Sequence, residues 1–253
     1  MELRIQGQTV EAKSGESLLD VARRQGFEIP SLCDHEALAS YGACRICLVE
    51  ISKQGRKGRI SAACTHPALP GLDVSLDTER VVRVRRLALE LLLAHAPEAR
   101  DVQALASRYG VEKTRFERVE DPRDCILCGL CERVCRDVVG VSAISLSGRG
   151  NRRRVGEPFG QDDLCIGCGA CEALCPTGVL GAMREGALAR YRTRHGEDRW
   201  CRYALMGLLP GAMCANDYRC ERCETEQTMV DRAGSAEHPL LQVAMVRLEE
   251  VVR

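Results

Sequence analysis

Aromatic residues are scarce in this chain of 253 residues: three Phe, one Trp and five Tyr make up only 4% of it. Large rings normally supply much of the area that orders a core, so some of that ordering must come from bound metal. Net charge is missing as well. The 36 basic and 36 acidic side chains cancel, which leaves no overall field to draw the protein to nucleic acid or anionic lipid. No apolar run reaches the roughly 18 residues that a spanning helix needs. The opening Met1-Glu2-Leu3-Arg4-Ile5 has no basic stretch leading into an apolar run, and Arg85-Arg86 lies too deep to be a twin-arginine signal. A cytoplasmic setting is the expectation, where thiols stay reduced and free to hold metal. No G-x-G-x-x-G turn or flavin-binding segment can be read either, so the chain lacks its own source and sink of electrons.

Cysteine is abundant instead, with 16 residues. Two runs repeat the same spacing 40 residues apart: Cys125-x2-Cys128-x2-Cys131-x3-Cys135 and Cys165-x2-Cys168-x2-Cys171-x3-Cys175-Pro176. Thiolates two residues apart on a tight loop grip one face of an iron-sulfur cube. The cysteine three further on starts a helix that points away, and its thiolate belongs to the other cluster. The spacing therefore assigns Cys125, Cys128, Cys131 and Cys175 to one [4Fe-4S] cluster and Cys165, Cys168, Cys171 and Cys135 to a second. Gly129, Gly167 and Gly169 let the backbone approach the cluster sulfurs. A tetrahedral zinc site has no use for a triplet plus a fourth cysteine occurring twice, and nothing addresses the chain to a compartment that favours disulfides.

Upstream, residues 2 to 12 alternate weakly around Gly7 and read as a hairpin. Ser14 precedes an amphipathic run through Leu18, Leu19, Val21 and Ala22 that ends at Gly26, a short helix. Two strands and a helix open a small β-grasp domain. It holds a further set of four cysteines, Cys33, Cys44, Cys47 and Cys64, which suits a [2Fe-2S] cluster. His35 and His66 lie close to these ligands, but four thiolates already complete the site.

The segment from Ile29-Pro30-Ser31-Leu32-Cys33 through Tyr41-Gly42-Ala43-Cys44-Arg45-Ile46-Cys47-Leu48-Val49-Glu50 resembles the N-terminal [2Fe-2S] domain of the large iron-sulfur subunit of respiratory NADH dehydrogenase. The same domain opens iron-only hydrogenases, NAD-linked formate dehydrogenases and the small diaphorase subunits of NAD-reducing hydrogenases. Residues 79 to 95 read as a long helix, with Val81, Val82, Val84, Leu87, Leu89, Leu91, Leu92 and Leu93 on its apolar side. Arg80, Arg83, Arg85 and Arg86 gather in its first turns, and a solvated face is the plain reading of such a run. Relatives often follow a histidine here with three cysteines that bind another [4Fe-4S] cluster, before a segment resembling Val102 to Val111. His95 stands alone, because Ala96-Pro97-Glu98-Ala99-Arg100-Asp101 offers no thiolate. That cluster should be absent, and His95 reads as a helix-end residue favoured by the dipole.

Between the two cysteine runs, Val141 to Leu146 reads as a strand and Gly148 to Arg154 as the loop of a return hairpin. After Met183 comes a fourth set, Cys201, Cys214, Cys220 and Cys223, with turns supplied by Gly207, Pro210 and Gly211. Its spacing suits either zinc or a further [4Fe-4S] cluster. Leu241, Met245, Leu248 and Val252 fall at helical spacing in the last segment.

The expected fold class is α+β in four parts. A β-grasp [2Fe-2S] ferredoxin domain (1–78) is followed by a helical linker (79–115), a two-[4Fe-4S] ferredoxin-like domain (116–190) and a small four-cysteine metal-binding module with a C-terminal helix (191–253). The cysteine motifs that hold the hydrogen-activating cluster of iron-only hydrogenases are absent. The resemblance thus implies a non-catalytic electron-transfer subunit of a hetero-oligomer. Its partners would be a flavoprotein that oxidises NAD(H) and a second redox subunit: a hydrogenase, formate dehydrogenase, ferredoxin or other reductase. Family analogy extends to complexes that split electron pairs between two acceptors. A free-standing ferredoxin-like carrier, a cluster-delivery protein and an independent oxidoreductase with its site at the C-terminal cysteines are the alternatives.

Overall fold

The opening hairpin forms where the alternation places it. In the computed structural model, which describes residues 1–53, 57–118, 124–158 and 164–233, β1 (Glu2–Ile5) pairs antiparallel with β2 (Gln8–Glu11). Leu3, Ile5 and Val10 face inward. β1 also runs parallel to β5 (Leu72–Ser75), β5 pairs antiparallel with β3 (Leu48–Lys53), and β3 with β4 (Arg59–Ala62). The resulting five-stranded sheet has the order β2-β1-β5-β3-β4. Helix α1 (Leu18–Arg24) buries Leu18, Leu19, Val21 and Ala22 in the same core as the sheet's inner face.

Ser17 caps the start of α1. Its hydroxyl accepts from Asp20 N at 3.2 Å, and the Asp20 carboxylate accepts from Ser17 N at 3.0 Å. That reciprocal pair satisfies two amide donors at once, an advantage that Ser14 does not offer.

Helix α2 (Glu79–His95) spans the expected range and starts on Thr78, whose hydroxyl accepts from Val81 N. α3 (Arg100–Arg108) packs on it. The apolar side of α2 is narrower than its sequence suggests: Val81 and Leu89 are buried, whereas Val84, Leu87 and Leu91 are exposed.

The chain divides into two compact units, Met1–Asp34 with Ala39–Cys128, and His35–Leu38 with Gly129–Arg253. The second contains short helices α4 (Leu130–Arg133) and α5 (Ala170–Ala173), each preceded by a glycine in the left-handed region, Gly129 and Gly169. The helix in each repeat thus begins just before the third cysteine rather than at the fourth. Cys135 lies in the wider π-type turn Val134–Val138 that continues α4, and Cys175 follows the end of α5.

The hairpin between the runs is present but shorter than expected, with β6 (Ser145–Ser147) paired to β7 (Arg154–Gly156). Val141 to Ile144 does not join it. The Val141 and Ser142 amides donate to Cys135 O at 3.1 and 3.2 Å, the Ala143 amide donates to Cys135 Sγ, and Ala143 and Ile144 pack among the cysteines. Three further α-helices follow among the described residues of the second unit: α6 (Gly181–Arg192), α7 (Arg202–Leu205) and α8 (Glu224–Ala233). The helical pattern from Leu241 to Val252 lies outside the described residues. Among the described residues, no helix is long and apolar enough to cross a membrane.

Candidate metal centres

The first unit brings Cys33, Cys44, Cys47 and Cys64 together, none more than 5% exposed. The Cys44 amide donates to Cys33 Sγ at 3.4 Å. Hydrogen bonding to Cys33 and burial push the Cys44 thiol up, whereas a hydrogen bond from Cys64 brings Cys47 down to about 7. These pairings place the four sulfurs within reach of one another in a site closed to solvent. Turns make the loop possible: Gly42 and Arg45 both have positive φ, at 74° and 60°. A Cβ on Gly42 would lie 3.0 Å from the Thr65 side chain and 4.0 Å from Cys64 Sγ, so the backbone approaches the site closely there.

Arg85 holds this loop from behind, and it corrects the reading of the α2 arginines as a solvated face. Only 3% of it is exposed. Its Nε donates to Ile46 O at 3.0 Å, its Nη2 to Leu48 O at 2.6 Å and Leu76 O at 3.3 Å, and its Nη1 to the Tyr109 hydroxyl at 2.7 Å. Ile46 stands between Cys44 and Cys47, so one guanidinium ties the ligand loop to the sheet and to the turn after α3. The other arginines are nearer the surface: Arg80 pairs with Glu50, and Arg86 donates to Tyr109 O. Both ring nitrogens of His66 are taken, by Arg59 at 2.9 Å and Pro67 O at 2.8 Å. His35 Nδ1 accepts from Ala37 N, and His95 is the last residue of α2.

The second unit gathers cysteines from both repeats. Cys135, Cys165, Cys168 and Cys171 line one pocket, together with Gly167, Gly169 and Arg184. Burial pushes Cys168 up to about 11 and Cys171 higher still. Burial also raises Cys135, while the Ala143 and Ile144 amides oppose it. Thiolates in such a site need a compensating positive centre. Cys131 and Cys175 belong to the same apolar cluster, with Cys175 Sγ 3.5 Å from Thr177 Oγ1. Cys125 and Cys128 fall in the first unit, where the Leu127 amide donates to Cys125 Sγ at 3.4 Å.

All four C-terminal cysteines, Cys201, Cys214, Cys220 and Cys223, line another pocket. A bridge between Trp200 and Met213 sets the first two, with Cys201 N donating to Ala212 O and Cys214 N to Arg199 O. Tyr218, 2% exposed, donates its hydroxyl to Trp200 O and its amide to Cys214 Sγ at 3.3 Å. A tight turn at Cys220–Arg222 then delivers Cys223 to the start of α8. Among the described residues, no three His, Cys, Asp or Glu side chains form a group that could hold a single metal ion.

The spacing of the sixteen cysteines is visible in sequence, but the burial of Arg85, Arg202 and Tyr218 is not. An arginine one residue after a cysteine, such as Arg202, carries no mark in sequence that separates it from a solvated one.

Residues 1–79 match a 2Fe-2S iron-sulfur cluster binding domain, and residues 124–179 match a 4Fe-4S dicluster domain. The chain is 30% identical over 211 residues to the NADP-reducing hydrogenase subunit HndD of Solidesulfovibrio fructosivorans, covering 71% of this chain and 36% of that protein. It is similarly 30% identical over 215 residues to the mitochondrial NADH-ubiquinone oxidoreductase 78 kDa subunit of Candida albicans, covering 75% and 29%. A solved structure of the NAD+-reducing [NiFe]-hydrogenase in the H2-reduced state aligns with a TM-score of 0.56 at 32% identity, over 63% of this chain and 76% of that one. This chain belongs to the iron-sulfur subunit family of NAD(P)-linked hydrogenases and respiratory NADH dehydrogenase. As a member of that family it carries a [2Fe-2S] domain and a [4Fe-4S] dicluster domain. It spans about a third of the length of the two curated family members, and the C-terminal cysteines lie outside both matched domains.

Proposed function

We propose that the chain is a non-catalytic relay, passing single electrons between a flavoprotein subunit that oxidises NAD(H) and a second redox unit. A hydrogenase, formate dehydrogenase, ferredoxin or other reductase could fill the second place. The observation that carries this reading is the pocket lined by Cys135, Cys165, Cys168 and Cys171. One thiolate from the first repeat joins three from the second, the crossed ligand pattern of a two-cluster ferredoxin.

The ligand sets follow. Cys33, Cys44, Cys47 and Cys64 hold a [2Fe-2S] cluster in a β-grasp domain. Cys135, Cys165, Cys168 and Cys171 hold one [4Fe-4S] cluster, and Cys125, Cys128, Cys131 and Cys175 are assigned to the other from their spacing alone. The C-terminal four form a separate metal site. Iron-sulfur clusters supply reversible one-electron chemistry at potentials set by charge, hydrogen bonding and burial. The residues fit that group: the cysteines are buried or half-buried, and backbone amides at Cys44, Leu127 and Ala143 donate to sulfurs among them. No acid, base or nucleophile is required. The protein fixes the ligands, aims N–H dipoles at sulfur and excludes water.

Cys168→Ser tests the assignment. Iron should fall by about four per chain and electron flow from reductant to acceptor should stop, while the [2Fe-2S] paramagnetic signal persists. Unimpaired electron transfer in this variant refutes the ligand set.

A further inference from the structure

The C-terminal pocket resembles the dicluster pocket in more than its cysteines. Each pocket is also lined by an arginine with a buried Nε–H that has no acceptor in the protein: Arg184 in the dicluster pocket and Arg202 in the C-terminal one. An unpaired buried donor of this kind is costly. Beside a ring of cysteines, the acceptors that suit it are cluster sulfide and ligand thiolate.

The two arginines meet at Gly169, which follows Cys168. A Cβ there would lie 3.5 Å from Arg184 Nε and 3.9 Å from Arg202 Nη1. Arg202 is 5% exposed and pairs with Glu226, which also lines the C-terminal pocket. Arg202 lines the C-terminal pocket with Cys220, and its Nη1 approaches the backbone beside Cys168 at Gly169. Arg184 pairs with Glu172 at 3.2 Å.

We propose that Cys201, Cys214, Cys220 and Cys223 hold a redox-active [4Fe-4S] cluster coupled to the one held by Cys135, Cys165, Cys168 and Cys171, with Arg202 and Arg184 as a cationic bridge between them. The proposal rests on the relay reading above and extends it by a fourth redox centre. Exchange of one electron between the two sites oxidises one by a single unit and reduces the other, with no proton or leaving group involved. A fixed positive charge beside both sites stabilises the more negative, reduced state of each and so raises both potentials.

Metal analysis and a paramagnetic-resonance redox titration of the full chain, purified without oxygen, test this. About fourteen irons and no zinc per chain are expected. In Arg202→Gln with that iron intact, two [4Fe-4S] midpoints should fall together, each by at least a tenfold change in the reduced-to-oxidised ratio, about 59 mV for one electron. Arg202→Lys keeps the charge and should leave both near their original values, and Cys223→Ser should lose about four irons and one of the two responding centres. If Arg202→Gln loses iron, Arg184→Gln, at a partly exposed side chain, carries the same test. About ten irons with one zinc overturns the cluster while leaving the relay standing. Fourteen irons with neither midpoint moved, or only one, overturns the bridge. Fewer than about ten irons overturns the relay reading as well.

Discussion

Arg85 has the most to lose from a single substitution. Its guanidinium satisfies the carbonyls of Ile46, Leu48 and Leu76 in a site closed to water. Arg85→Met keeps much of the stem's packing but strands those acceptors, at a cost of about 2–5 kcal/mol in stability. Denaturant titration of the holoprotein measures it, and the [2Fe-2S] signal should bleach faster than in the parent chain. A change below about 0.5 kcal/mol would place Arg85 among ordinary surface residues. Sequence spacing put Arg85 with Arg80, Arg83 and Arg86 because all four share the first turns of one helix. Which of them points inward depends on where β3 lies under α2, and that is fixed by strand pairings distant in sequence. Cysteine spacing is legible for the opposite reason: the ligand pattern proposed for it is written along the chain itself. Ser17 is an intermediate case, since two serines precede α1 and only the one with Asp20 three residues on can close a reciprocal cap. Ser17→Ala should cost about 1 kcal/mol by the same titration, whereas Ser14→Ala should cost close to nothing.

At the scale of elements, the first unit follows its local signals closely. The hairpin, α1 and the full length of α2 form where periodicity and caps place them. The second unit departs from such signals where its backbone serves cysteine rather than a sheet. Val141 to Ile144 has the composition of a strand, yet its amides are spent on the carbonyl and sulfur of Cys135. Hydrophobic pattern cannot reveal that competition. The β6–β7 hairpin that follows depends on Gly148, at φ +79°, where a Cβ would meet the Arg152 carbonyl oxygen at 2.5 Å. Gly148→Ala should therefore destabilise the hairpin by about 1–2 kcal/mol. Faster amide exchange confined to β6 and β7 is the expected signature, and unchanged exchange there would contradict the role given to Gly148.

On the scale of the whole molecule, the two units are stabilised differently. The first has a core of aliphatic side chains from the sheet and α1, in which cysteines are a minority. In the second, cysteines themselves form much of the apolar cluster, beside Ala143, Ile144 and Leu180. Among the described residues of that cluster there is no aromatic side chain, so on the relay reading its packing depends on bound metal. Anaerobic chelation of iron should accordingly unfold α4 and α5 while the five-stranded sheet persists, as amide exchange would report. Loss of both units in one step would show instead that the sheet also depends on its cluster.

The central claim is that the chain holds a [2Fe-2S] cluster and at least two [4Fe-4S] clusters that take up electrons singly and reversibly. Mössbauer spectroscopy of iron-57-enriched protein, recorded oxidised and after stepwise reduction without oxygen, addresses it most directly. The expected spectra resolve both cluster types, with at least four irons in [4Fe-4S] form for every one in [2Fe-2S] form, and each type accepts and returns one electron per cluster. Spectra lacking the [2Fe-2S] component, or clusters that disassemble on reduction rather than cycling, would contradict it.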